Sequence, residues 1–263
     1  MDASVPIFKH KLGPLGLDVP PAGEHSFEEI VAAYRAKLGE GGGAVHINCM
    51  FTMAECRAAI LAAGESGCGP VWVSWGCDED GESPSRVHML AALFVAEGMG
   101  AAAFGVNCPK ELAEEQLKEL EPYASVPLFY VVDGQPVLWD YTPAEHDPDQ
   151  LPCTTGTEVC FVTRTVDVGD ELECTPDLLE DIIEAEDDPV GAVKISVFEQ
   201  DDVDMFAEEQ YAIDKALCLC SDVPELLEAA LRVYQGRAFY DGTGELERSD
   251  LEPLCRKYGL IVL

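Results

Sequence analysis

Basic residues are scarce in this chain. Its 263 residues include 16 lysines and arginines against 50 aspartates and glutamates, so the formal net charge is −34. A surface of this sign repels phosphate backbones and anionic lipid headgroups, which argues against binding to nucleic acid or to a membrane surface. We interpret the acidity as a solvated coat, with a specific basic partner as the alternative.

Long apolar runs are absent as well. No uninterrupted apolar stretch approaches the roughly 18 residues that a membrane span requires. The first residues, Met1-Asp-Ala-Ser-Val-Pro6, lack the charged and apolar segments of a secretory signal. We therefore expect a cytoplasmic protein whose cysteines are reduced. There are 11 cysteines, an odd number that prevents complete pairing within the chain.

Short apolar runs, by contrast, are frequent, and helical segments separate them. The runs are continuous rather than alternating, which is typical of parallel strands that are buried on both faces. Helix start signals between them include the capping box Ser26-Phe-Glu-Glu29 and the first-turn proline Pro109. The predicted strands are residues 44–49, 71–77, 101–107, 127–132, 159–165, 192–198, 216–220, 237–240 and 260–263.

Strands and helices that alternate in this way form the βα pattern. Eight units between Ala44 and Arg237 predict an α/β fold of the (β/α)8 TIM-barrel type, with residues 1–263 as a single domain. An open doubly wound sheet is the alternative, but no Gly-rich phosphate fingerprint follows the first strand. Residues 133–158 are rich in proline and acidic residues and predict a long loop between two halves of the chain.

Cysteines stand at the ends of three successive predicted strands: Cys49, Cys77 and Cys108. Barrels of this type carry their chemistry at the carboxyl ends of the strands, so these thiols would face one another across the barrel mouth. Three or four thiolates bind zinc tetrahedrally or leave one position open. Cys220, at the end of the predicted strand 216–220, is a further candidate ligand. The alternative is that each cysteine is a small apolar residue of the core.

Acidic residues that follow the predicted strands are candidates for binding a substrate amine or for acting as a general base. They include Asp78, Asp133 and Asp241, and an ordinary place in a solvated loop is the alternative for each. His46 lies within a predicted strand, where a hydrogen-bonded core histidine is favoured over a metal ligand.

The run Gly105-Val-Asn-Cys108 resembles the first zinc-ligand strand of the homocysteine methyltransferase family. Three further segments resemble strands of that family in the same order: 43–63, 72–83 and 127–136. The resemblance covers residues 26–140. It implies that Cys108 is a zinc ligand, that Asn107 lies at the substrate site, and that zinc ionises the acceptor thiol of homocysteine.

The second half resembles a different module, the pterin-binding barrel of cobalamin-dependent methionine synthases. Residues 158–169 resemble its first strand, and residues 217–237 resemble its third strand and helix. In that family a homocysteine barrel precedes a pterin barrel, and this chain represents only part of each. The resemblance implies one hybrid barrel with a homocysteine-type half, 26–140, and a pterin-binding half, 159–263.

The departures from these families concern the site itself. The Gly-Gly-Cys-Cys pair that completes the family's zinc site does not occur in this chain, and Cys153, near the expected place, supplies one thiol. Cys49 and Cys220 each replace an acidic strand end of the two families. These replacements predict an altered zinc site. Its candidate ligands are Cys108, Cys49 and Cys77, followed by Cys220 and Cys153.

The resemblance implies methyl transfer to a thiol such as homocysteine, from a methyl-corrinoid or from methyltetrahydrofolate. The chain has no Asp-x-His-x-x-Gly cobalamin motif, so a corrinoid would be carried by a partner protein. One alternative is a catalytically degenerate or repurposed barrel that binds a small metabolite or a corrinoid protein. Another is a thiol-rich module for metal storage or delivery.

Overall fold

The computed structural model describes residues 4–15, 25–39, 42–78, 83–145 and 147–263. The chain divides into two compact units, Met1–His146 and Asp147–Leu263. Each unit contains parallel strands that alternate with helices. Within the described residues, no helix has the length and apolarity needed to cross a bilayer.

The first unit is built on a six-stranded sheet. Its elements are β1 (Phe8–Leu12), α1 (Phe27–Leu38), β2 (Ala44–Met50), α2 (Met53–Glu65), β3 (Val71–Gly76), α3 (Met89–Gly98), β4 (Ala103–Asn107), α4 (Lys110–Leu120), β5 (Leu128–Val132) and β6 (Gln135–Leu138). The strands lie in sequential order. The first five are parallel and β6 is antiparallel to β5. This order is consistent with half of a TIM-type barrel.

The core of the first unit lies between the sheet and its helices. Strand residues such as Val45 and Ile47 are fully buried there. Because side chains alternate along a strand, the intervening residues point to the opposite face. On that face the ring of Phe129 lies 5.5 Å from the ring of His46 and 5.0 Å from that of Trp72, between centroids. The sheet is therefore apolar on both faces, as the continuous apolar runs predict.

The second unit contains a five-stranded parallel sheet and a separate hairpin. Its elements are β7 (Leu151–Thr154), β8 (Val159–Val162), β9 (Val168–Glu173), α5 (Leu178–Asp187), β10 (Ala192–Ser196), α6 (Gln200–Glu209), a 3-10 turn (Gln210–Ala212), β11 (Ala216–Cys220), α7 (Pro224–Val233), β12 (Phe239–Tyr240), α8 (Arg248–Tyr258) and β13 (Ile261–Val262). Strands β9 to β13 lie in sequential order, while β7 and β8 form an antiparallel pair.

The structure confirms the α/β class and most of the predicted strands, but it corrects the count of units. Residues 159–165 are predicted as a parallel strand, whereas β8 pairs antiparallel with β7. The parallel strand of this region is β9, which the apolar pattern misses because half of its residues are exposed at the sheet edge. The pattern also misses β1 and β6, the two edge strands of the first sheet. The eight units counted from Ala44 therefore include β8 and omit β1 and β9.

The segment 133–158, predicted as a loop, includes β6 and β7, and its described residues, 133–145 and 147–158, contain no helix. The boundary between the two compact units falls inside this segment, after His146. A closed barrel over residues 1–263 stays a prediction.

Candidate functional site

A β-bulge near the carboxyl end of β2 shapes the candidate site of the first unit. The register between β2 and β3 shifts between Ile47 and Met50, so Asn48 and Cys49 lie opposite Ser74. Cys49 has a φ of 61°, in the left-handed region that residues other than glycine rarely adopt. Such a conformation costs energy and persists only where the surroundings impose it, which is common at functional sites.

The hydroxyl of Ser74 ties the bulge to its neighbours. It accepts a hydrogen bond from the Cys49 N–H at 3.1 Å and donates to Asn48 Oδ1 at 3.1 Å. Because its single proton is used on Asn48, His46 donates to Ser74 through its Nε2–H, at 3.1 Å. Asn107 Nδ2 donates to the same Asn48 oxygen at 3.2 Å. The network therefore joins the ends of β2, β3 and β4.

The imidazole of His46 is neutral in this network. Burial, followed by the positive charge of Lys11, lowers its pKa to about 4. Only 1 % of the residue is exposed. His46 is therefore a hydrogen-bonded core histidine, as the sequence favoured, and it supports the strand that carries Cys49.

We expect this buried imidazole to make the protein less stable as the pH falls from about 6.5 to about 4. Over that range the unfolded chain takes up a proton on His46 while the folded protein does not, so protonation favours unfolding. The difference between the pKa of about 4 in the folded protein and the ordinary value of about 6.5 corresponds to roughly 3 kcal/mol in the free energy of unfolding. Denaturant titrations between these pH values should show a steeper decline for the native protein than for His46→Gln. An NMR titration with a His46 midpoint near its ordinary value would contradict the expectation.

Two thiols meet at the ends of β3 and β4. Gly76 pairs with Asn107 in the parallel register, so the following residues, Cys77 and Cys108, lie side by side. The thiol of Cys77 donates a hydrogen bond to the sulfur of Cys108. This hydrogen bond lowers the pKa of Cys108 against the opposing effect of burial. It raises the pKa of Cys77, and burial raises it further. Cys108 is therefore the thiol of this pair that ionises first.

Cys49 is the third thiol of the first-unit site. Burial raises the pKa of Cys49, and the negative charge of Cys108 raises it further. A Cβ atom at Gly76 would lie 2.8 Å from the Cys49 sulfur. Glycine at this position therefore leaves the room that Cys49 occupies beside Cys77.

The two acidic candidates of the first unit occupy different positions. Asp78 is exposed and directly follows Cys77, whose pKa its negative charge raises. Asp133 and Gly134 have φ values of 49° and 73° and form the two-residue turn between β5 and β6. This pattern is typical of a type I′ hairpin, so the turn by itself explains an aspartate at this position.

The remaining candidates lie in the second unit. Cys153 is buried on β7 opposite Cys160 of β8. Burial raises the pKa of Cys153 to about 12, partly offset by Arg237. Cys220 lies at the end of β11, beside Asp241. The structure therefore assembles Cys49, Cys77, Cys108 and Asn107 in one unit, and Cys220 and Asp241 in the other.

The first-unit thiols match zinc in chemistry and in part in geometry. Cys77 and Cys108 lie side by side at neighbouring strand ends, and their thiols interact, as two ligands of one ion would. Among the described residues, the ligand set whose atoms all lie within 4.8 Å of one another is Cys218, Cys220 and Asp241. Cys49 does not complete a set of that compactness with Cys77 and Cys108. The assembled part of the first-unit site is therefore the Cys77–Cys108 pair.

Sequence reasoning missed several residues that shape these sites. Asn48 and Ser74 hold the bulge, but a bulge leaves no trace in a continuous apolar run. Lys194 and Thr243 contact Asp241 in the second unit. Lys194 lies inside a strand whose other residues are mostly apolar. A single basic residue in such a strand was the signal that could have identified it.

The first unit is an α/β unit with thiols at the carboxyl ends of its parallel strands, an arrangement consistent with a TIM-type half-barrel that carries its chemistry there. The model of the homocysteine S-methyltransferase family matches residues 6–152, more than half of the chain. The chain therefore belongs to the homocysteine S-methyltransferase family. The match includes Cys49, Cys77 and Cys108, and it begins early enough to include β1. No curated protein matches the chain at a significant level.

Proposed function

We propose that this protein transfers a methyl group to the thiol of homocysteine or a close analogue, with zinc held at Cys108. The observation that carries the proposal is the position of Cys108. It ends the run Gly105-Val-Asn-Cys108 inside the family match, and it lies beside Cys77 at the end of the neighbouring strand. The interaction with Cys77 lowers the pKa of Cys108, and a zinc ligand binds as the thiolate.

Zinc would be held by Cys108 and Cys77, with Cys49 as the third donor once its sulfur approaches the pair. Bound there, zinc would lower the pKa of a substrate thiol and so supply the nucleophile for methyl transfer. The exposed carboxylate of Asp78 lies next to this pair and is suited to bind the substrate amine.

The chain's own residues position these donors. The network through Ser74 holds the backbone of Cys49 in its strained conformation and fixes Asn107 beside Cys108. Rigid support of this kind keeps the strand ends in place while substrate binds. We propose methyltetrahydrofolate or a methyl-corrinoid on a partner protein as the methyl donor. The resemblance of the second half to a pterin-binding barrel supports the folate.

The test compares Cys108→Ala with Cys255→Ala, since Cys255 is a half-buried thiol on α8 in the second unit. The protein is purified under reducing conditions, its zinc is measured, and methionine formation is followed from homocysteine with each donor. We expect Cys108→Ala to lose one equivalent of zinc and the activity, while Cys255→Ala keeps both. A folded Cys108→Ala protein that keeps its zinc and its activity would refute the proposal.

A second candidate function is binding of the thiol substrate without turnover. The missing Gly-Gly-Cys-Cys pair and the incomplete set at Cys49 favour it. Calorimetry together with the methionine assay distinguishes the two functions. A binding protein binds homocysteine in the calorimeter but forms no methionine with either donor.

A further inference from the structure

The second unit carries a cluster of side chains at the ends of three neighbouring parallel strands. Cys218 and Cys220 alternate on β11 and therefore point to the same face. Lys194 of β10 is the register partner of Cys218. Asp241 directly follows β12. None of these residues lies in the region that the family model matches.

The distances within this cluster are those of a metal site. The sulfurs of Cys218 and Cys220 are 3.7 Å apart, and Cys220 Sγ lies 3.7 Å from Asp241 Oδ1. All three ligand atoms lie within 4.8 Å of one another. Two thiolates bound tetrahedrally to one zinc at about 2.3 Å each are about 3.8 Å apart, so the thiols need not move to accept the ion.

The ligands are already held in place. Cys218 and Cys220 are 0 % and 4 % exposed, so packing fixes both thiols. The backbone N–H and the hydroxyl of Thr243 donate to Asp241 Oδ1 at 3.0 and 2.7 Å. Lys194 donates to the other carboxylate oxygen, Oδ2, at 3.2 Å. Partners of this kind orient metal-bound carboxylates in known sites.

The charged groups around the two thiols leave no positive charge to balance two thiolates, and a divalent cation would supply it. Lys194 pairs with Asp241 and also lies 3.4 Å from Glu171, so its positive charge is already used. The two thiols have no further cation facing them among these contacts. If both thiols lost their protons, two negative charges would lie 3.7 Å apart in a buried position, which is unfavourable. Two positive charges would remove that penalty.

We propose that Cys218, Cys220 and Asp241 form a second zinc site, independent of the proposed methyl-transfer site. Each thiol loses its proton to solvent as its sulfur bonds to the ion, so two protons leave for each Zn²⁺ that binds. Asp241 Oδ1 is the third ligand, and the fourth position remains for water or a small ligand. Two sulfur donors select zinc over Mg²⁺, Ca²⁺ and Mn²⁺, and the carboxylate oxygen suits zinc better than Cu⁺.

The test uses the full chain with two of the three candidate ligands of the first unit removed, in the variant Cys49→Ala/Cys108→Ala. This protein is loaded with zinc in a phosphine reductant and dialysed. We expect one equivalent of bound zinc, and an X-ray absorption spectrum that fits two sulfur and two lighter neighbours. Adding Cys218→Ser and Cys220→Ser should abolish binding, whereas adding Cys153→Ser and Cys255→Ser should not. A first-unit-deficient protein that binds no zinc, or whose zinc survives loss of Cys218 and Cys220, overturns the proposal.

Asp241→Asn, in the same background, keeps both thiols and is informative even if the serine variants do not fold. The amide is a weaker ligand than the carboxylate, so we expect zinc affinity to fall about tenfold or more. Competition with a chromogenic chelator measures the change. An affinity equal to that of the background protein would overturn the assignment of Asp241 as a ligand.

Discussion

Replacing Lys194 by methionine is expected to lower the free energy of unfolding of the second unit by about 3–5 kcal/mol. The side chains of Lys194 and Asp241 are each only 11 % exposed, and their charged atoms are 3.2 Å apart. Burial disfavours the charge on Lys194, but the negative charge of Cys220 and its contact with Asp241 outweigh burial and raise its pKa. Methionine fills a similar volume, so the main loss is the compensating charge.

Without Lys194, the carboxylate of Asp241 would face Cys220 with its charge uncompensated by the lysine. Removing one partner of a buried pair is costly because the other charge stays desolvated. The measurement is denaturant unfolding of metal-free protein, with hydrogen exchange of β10 and β11 to locate the change. Lys110→Met is the matched control, since Lys110 pairs with Glu114 on the exposed surface of α4. That change should cost less than about 1 kcal/mol, and equal effects of the two substitutions would contradict the argument.

Replacing Cys77 by alanine is expected to slow alkylation of Cys108 near neutral pH. The hydrogen bond from Cys77 lowers the pKa of Cys108, so its removal raises that pKa and reduces the thiolate that reacts. Each pKa unit lowers the thiolate fraction roughly tenfold when the pH is below the pKa. Iodoacetamide labelling of zinc-free protein, followed by mass spectrometry of the peptide that contains Cys108, gives the rate.

Cys77→Ser separates the hydrogen bond from the loss of side-chain volume. Serine keeps a donor at the same position, so Cys108 should react faster in Cys77→Ser than in Cys77→Ala. A pH series of labelling rates would show the midpoint moving upward in the alanine protein. If native, serine and alanine proteins share one midpoint, the hydrogen bond does not control Cys108.

The element order of this protein could be predicted largely from local patterns. The strands β2, β3 and β4 lie within two residues of their predicted bounds, because continuous apolar runs mark strands that are buried on both faces. The edge strands β1 and β9 were not predicted, because polar and acidic side chains at a sheet edge reach solvent and interrupt the apolar run. The hairpin at Asp133-Gly134 was not predicted either, although Asp-Gly is a turn dipeptide typical of hairpins.

The site was predictable in its residue types and less so in its arrangement. The position of Cys77 and Cys108 at neighbouring strand ends follows from strand prediction, and the register of β3 with β4 sets them side by side. The bulge at Cys49 does not follow from any local pattern, since it depends on the pairing of β2 with β3. Lys194 reads as one polar residue in an apolar strand until Asp241 is brought against it.

The sequence by itself determined the α/β class, the family and the thiols at the strand ends. These properties depend on periodicity and on motifs, which are local. The tertiary structure decided which side chains meet, namely Cys77 with Cys108, Ser74 with Asn48, and Cys218 and Cys220 with Asp241. The physical reason is register: side chains alternate every residue along a strand, so a shift of one residue changes the face on which a group lies.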